Sequence, residues 1–135
     1  MMIGKNFERP SSEPDVRTAA VSDTVTVRVH ATDFTNAQSY PYVVLANIVP
    51  TGATVPPFSP TLPLYVDLMA PIVVFRDSNS NPSFPELLTE NGVGFDLQIP
   101  FGLNGFSMLL QSAALDSNAM NSVAAISDAY ELTIL

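Results

Sequence analysis

The chain contains no cysteine and no tryptophan, one histidine, and only five basic residues against thirteen acidic ones in 135 positions. Each shortage removes some chemistry. Without cysteine there is no disulfide framework, no thiolate metal site and no cysteine nucleophile. Without tryptophan, the widest platform for stacking a sugar ring is missing. Any Ser-His-Asp scheme must use His30, which falls on the polar side of an alternating segment with Asp33 three residues on, and no serine sits in a G-x-S-x-G elbow. His30 is therefore read as a solvent-facing strand residue, and a hydrolase ranks last among the functional readings. Charged residues make up 13% of the chain, about half the usual share for a soluble domain, so much of the surface must be Ser, Thr, Asn, Gln, Pro and backbone.

The few bases are unevenly placed. Lys5, Arg9 and Arg17 balance three acids within the first seventeen residues, which leaves Arg28 and Arg76 in a remainder that carries the full net charge of −8. Such a body repels phosphate backbones and anionic lipid, which argues against nucleic acid as a partner. No apolar run approaches the roughly 20 residues of a spanning helix, so membrane insertion is not expected. The opening MMIGKNFERPSSEPD has no apolar core of a signal peptide; the expectation is a chain that carries none, whether or not one is trimmed on export.

What is present is alternation. Residues 1–20, with Pro10, Pro14 and mixed charge but no periodicity, predict an extended N-terminal arm. In VSDTVTVRVHA, Val21, Val25, Val27, Val29 and Ala31 share one side and Ser22, Thr24, Thr26, Arg28 and His30 the other, the signature of a half-buried strand. YVVLANIV (42–49) is a continuous apolar run of strand length, expected to be buried on both faces. Prolines at 50, 56, 57, 60 and 63 mark a surface excursion. LYVDL (64–68) and IVVFR (72–76) predict two short strands divided by Pro71, and Asn91-Gly92 predicts a tight turn before VGFDLQI (93–99). FSMLLQSAAL (106–115), VAAIS (123–127) and AYELTIL (129–135) complete the series, and no window has the polar face of an amphipathic helix, although PELLTEN could hold one turn. Seven to eight short strands make this an all-β chain: an antiparallel β-sandwich, jelly-roll or Ig-like, forming a single domain over 21–135 behind the arm of 1–20.

The order PLYVDL, an apolar strand, a polar loop, GFDLQIP, a glycine turn, GFSMLLQSAALD and a closing SDAYELTIL resembles the small all-β module found at the C-termini of many secreted proteins of planctomycete-type and related bacteria. The matching residues are Ile99 and Pro100, Leu103 and Gly105, Phe106 and Gln111, Leu115 and Asp116, and 128–135, so that the likeness spans roughly 42–135. It rests on packing residues. What it implies is a sandwich fold and an extracellular habit, with no chemistry attached.

Three constellations bear on chemistry. Asp67 and Asp96 interrupt otherwise apolar strands and could form the carboxylate pair of a glycosidase, but outward strand carboxylates are common. Asp77, Asn79 and Asn81 have the alternate-residue oxygens that open a calcium loop; Pro82 replaces the glycine such a loop needs and Leu88 its closing glutamate. An Asx turn accounts for the spacing without metal, and a calcium site would have to draw on Glu86 or Glu90. No other cofactor is suggested. Tyr40, Tyr42, Tyr65 and Phe58 are the stacking groups available if the protein is a glycan- or surface-binding module.

The reading that remains is a non-catalytic structural protein. A body with no lysine lacks the usual guard for its sheet edges. The arm, with Lys5, Phe7, Arg9 and Arg17, can cross to an acidic neighbour, add backbone hydrogen bonds along an edge and pair its bases with carboxylates. The expectation is a homo-oligomer or polymer, an extracellular filament, surface layer or virion shell, with a glycan- or surface-binding module, calcium-assisted or not, as the alternative.

Overall fold

The computed structural model describes residues 2–3, 15–31, 39–53, 66–79, 86–89, 91–115, 124–127 and 129–135. Among them lie nine strands and no helix: β1 (Met2–Ile3), β2 (Asp15–Ala19), β3 (Thr24–Ala31), β4 (Tyr42–Pro50), β5 (Val73–Asp77), β6 (Val93–Gln98), β7 (Phe106–Leu115), β8 (Ala124–Ile126) and β9 (Tyr130–Ile134). They form two sheets facing each other in a sandwich-like arrangement, one with the order β1-β3-β6 and one with the order β2-β9-β7-β4-β5, in which β8 also pairs with β7.

The small sheet follows from period-two patterning. Val25, Val27 and Val29 of β3 stand opposite Leu97, Phe95 and Val93 of the antiparallel β6, and these side chains are buried or half-buried. Thr24, Thr26 and Arg28, with Gly94, Asp96 and Gln98, face solvent. The spine of the large sheet is the antiparallel pair β4–β7, registered from Tyr42↔Ala114 to Pro50↔Phe106. Both strands are largely buried on both faces, which is why their sequences are apolar runs rather than alternations.

One face of this spine meets the small sheet. Val29, Tyr40, Tyr42, Val44, Leu88 and Ala114 pack as one cluster; Ala19, Ala46, Ile99, Met108, Leu110, Leu132 and Ile134 pack as a second, and the half-buried Phe75 touches both. Each large aliphatic side chain removed from water contributes roughly 1.5–3 kcal/mol. On the opposite face, residues 66–71 fold back over the sheet. Val66 N–H donates to Gln111 Oε1 at 3.5 Å, and the buried Asn47 accepts from Asp67 N at 2.6 Å while donating to the carbonyls of Asp67 (3.2 Å) and Pro71 (3.1 Å). Asn47 and Gln111 are thus the polar breaks in two apolar strands because a returning segment needs its backbone satisfied there.

Two elements differ from the sequence expectation. LYVDL was expected as a strand, but residues 66–70 turn: Met69 N–H donates to Asp67 Oδ1 and Ala70 N–H to Asp67 O. An aspartate that bonds the backbone two residues on favours such a turn over a ladder. Within residues 1–20, expected as an extended arm, residues 2–3 form β1, paired in parallel with β3 at Met2↔His30 and Ile3↔Ala31, and residues 15–19 form β2, paired in parallel with β9 from Asp15↔Tyr130 to Ala19↔Ile134. An edge strand needs backbone partners more than buried side chains, and of β2's described side chains only Ala19 is buried. Residues 86–89 are not helical; Leu88 and Tyr40 form an isolated antiparallel bridge.

Candidate functional site

The residues singled out for assembly and for calcium fall in different settings. Lys5, Phe7, Arg9 and Asn81 lie outside the described residues. Arg17 stands on β2 at one end of the large sheet, exposed. Asp77 closes β5 at the other end, and its Oδ1 accepts from Asn79 N at 2.8 Å, the Asx-turn geometry. Among the described residues no three His, Cys, Asp or Glu side chains converge as a metal site would require. His30 takes its place in β3 opposite Met2. Asp67 caps its own turn, while Asp96 accepts from Thr26 Oγ1 across the β3–β6 ladder at 2.8 Å. Tyr40 and Tyr42 are 9% and 4% exposed, so neither offers a ring face to a sugar; Phe58 and Tyr65 lie outside the described residues.

A cluster that the sequence does not reveal joins three elements. Arg76 on β5 grips Glu86 with two parallel bonds, Nε to Oε1 and Nη2 to Oε2, both 3.0 Å, and Tyr42 of β4 donates its hydroxyl to the same Oε1. The bidentate Arg76 holds the Glu86 carboxyl below the usual carboxylate range against an opposing push from burial. Burial, then the bond to Glu86, pushes the Tyr42 phenol up to about 12, and Glu86 raises Arg76 above its ordinary value. With the phenol held protonated and the carboxylate held ionised, the three side chains act as a clasp. It fastens residues 86–89 to the sheet end, helped by Glu86 N–H to Ser78 O (3.1 Å) and Tyr42 N–H to Ser78 Oγ (2.8 Å). No spacing rule pairs residues 42, 76 and 86.

The ends of the large sheet are the remaining feature. Among the described residues β2 and β5 each have one ladder side without a strand partner. Around β5, Leu68, Met69, Ile72, Val73 and Val74 are exposed, Met69 to 95% and Val74 to 53%, on a turn that Asn47 holds in place. The register of β5 on β4 shifts between Val44 and Leu45, leaving Phe75 as an extra residue; a bulge of this kind twists an edge and discourages further pairing. β2 has no such irregularity in its five registered pairs. Between β2 and β3 lies an opening of about 220 Å³ walled by Val25, Val27, Leu110, Tyr130 and Leu132, with Arg17 and Arg28 also lining it. A shallower depression of about 360 Å³ on the outer face of the small sheet runs between Arg28 and Asp96. Compared with protein-family models, curated proteins and solved structures, the chain matches none.

Proposed function

We propose that this is a non-catalytic structural protein that self-assembles through its N-terminal segment and its open strand edges, building an extracellular filament, a surface layer or a virion shell. The observation that carries the reading is the rim at 68–74: five large apolar side chains, exposed together on a pinned turn and an edge strand. Apolar groups gathered at one rim mark a contact surface more than scattered single residues do. The charge distribution supports it, since the bases of residues 1–17 can meet the acids of a neighbouring body. The jelly-roll or Ig-like type and the likeness to the C-terminal module of secreted bacterial proteins belong to the same proposal, as does its location outside the cell. The burial of Tyr40 and Tyr42 weighs against the glycan-binding alternative.

Sedimentation velocity over a dilution series, with negative-stain microscopy of the same samples, tests the reading. The expected result is concentration-dependent assembly into filaments, sheets or shells that weakens as salt screens the contacts between basic segment and acidic body. A single 14.5 kDa species throughout the series, up to high micromolar concentration, overturns it.

A further inference from the structure

We infer that Asn91 is a site of spontaneous covalent modification: the backbone nitrogen of Gly92 displaces its side-chain amide, and water opens the resulting ring to an aspartyl or isoaspartyl residue. The inference stands apart from the self-assembly reading.

The chain holds two Asn-Gly pairs, at 91–92 and 104–105. Asparagine is a thermolabile residue, and ring closure is easiest before glycine, where no Cβ crowds the attacking nitrogen. The fold treats the two pairs differently. Both asparagines are exposed, and both glycines have positive φ, 70° at Gly92 and 80° at Gly105. Asn104 is held: its Nδ2 donates to Leu135 O at 3.2 Å, Gly105 N–H donates to Ile134 O at 3.1 Å, and Gly105 O accepts from Thr51 N at 2.9 Å. That pair is therefore tied both to the end of β9 and to the turn after β4. Asn91 is bonded through its backbone N–H, to Thr89 Oγ1 at 3.3 Å, and among the described residues nothing holds its side-chain amide. Gly92 N–H donates to Thr89 O at 2.9 Å, a bond closed inside a single four-residue turn. Opening that turn disturbs no ladder short of Val93, where β6 begins. Bringing the Gly92 nitrogen onto Asn91 Cγ thus needs only local backbone rotation, and proximity does the rest.

The step needs water and no other reactant. A base takes the Gly92 amide proton, the nitrogen attacks Asn91 Cγ, and a new C–N bond forms as the Cγ–Nδ2 bond breaks and the side-chain nitrogen leaves as ammonia. Hydrolysis of the new Cγ–N bond gives an aspartate. Hydrolysis of the original peptide bond gives an isoaspartate, whose main chain runs through Cγ and is one methylene longer.

Either product adds one negative charge to the net −8. The charge appears in the depression of about 360 Å³ on the outer face of the small sheet, whose described walls include Asn91, Arg28 and Asp96. One base facing one acid becomes one base facing two, so a balanced polar surface turns acidic as the protein ages. The isoaspartate also places its extra methylene directly ahead of the Val29↔Val93 pair that ends the β3–β6 ladder.

The test uses the full-length protein, incubated near neutral pH at physiological temperature in water enriched in the heavy oxygen isotope. Folded samples and samples unfolded in guanidinium chloride are followed by peptide mapping with mass spectrometry, and an isoaspartyl methyltransferase labels the isomerised product. Unfolded chains should convert both asparagines at similar rates. In the folded protein Asn104 should lag behind Asn91 by about tenfold or more, because it must first release its side-chain bond. Heavy oxygen and the methyl label should both locate to residue 91. The Asn91→Gln variant should lose both labels, together with the acidic species that accumulates on ion exchange. Equal rates at the two sites in the folded protein, or faster loss at Asn104, overturn the inference. So does an Asn91 that stays intact when folded over the time in which the unfolded chain converts.

Discussion

Ser112 and Asn47 are both buried polar residues in the spine of the large sheet, and their energetic roles are opposite. Asn47 satisfies three backbone groups of the covering segment, whereas Ser112 Oγ is buried without a hydrogen-bond partner and faces the apolar side shared with Val44. Asn47→Ala leaves Asp67 N–H and two carbonyls unmatched, at a cost of about 2–3 kcal/mol. Ser112→Ala removes an unpaired hydroxyl and should be neutral or stabilise by up to about 1 kcal/mol; urea denaturation of the two variants reads the contrast. The clasp adds a pH signature. Because the folded Tyr42 phenol lies at about 12, above its ordinary value of 10.0, its contribution is complete below pH 10 and is lost as pH rises from there through 12. Glu86, held low, contributes above the ordinary carboxylate range and loses that contribution as pH falls through its depressed value. Tyr42→Phe should therefore flatten the alkaline decline of the melting temperature between pH 10 and 12. The sequence pointed to Tyr42 and Glu86 for other roles, as a stacking ring and a calcium ligand, and hid Asn47 inside an apolar run; the Tyr42–Glu86–Arg76 contact depends on how distant segments meet, which no local pattern encodes.

At the scale of elements, strands whose faces differ in burial were legible. β3 and β6 alternate because one face packs and the other is wet, and β4 and β7 are continuous runs because both faces are covered. What was not legible is each case where the backbone is stabilised by something other than side-chain burial. LYVDL has the composition of a strand, yet Asp67 bonds its own turn and Asn47 holds that turn from below. β2 has no periodicity, and its place is set by the free ladder of β9. The returning residue Leu88, wholly buried in the cluster with Tyr42 and Val44, belongs to a stretch that looked like a helical turn. Packing between the sheets predicts that Leu110→Ala, in the second cluster, costs about 2–5 kcal/mol in urea denaturation. Val74→Ala, at an exposed position of the β5 edge, should cost less than about 1 kcal/mol. Equal losses at the two positions would contradict the assignment of inner face and outer edge.

For the molecule as a whole, electrostatics sets the conditions of association. Thirteen acids and five bases give copies a net repulsion at neutral pH, which the proposed contacts between basic segment and acidic body have to offset, and that repulsion fades as the solution approaches the isoelectric point near 4.2. Light scattering should accordingly rise to a maximum close to that pH and fall on either side. A scattering profile without pH dependence would show that charge does not govern approach. The parallel ladder between β2 and β9 also has a temporal side. It joins a strand at positions 15–19 to one at 130–134, and sequence separations of that size are closed late, because a long loop must be ordered first. A ribosome delivers Asp15–Ala19 early and its mate more than a hundred residues afterwards. In the interval the early strand has nothing of its own to pair with, so this edge of the sheet closes only once β9 has been made.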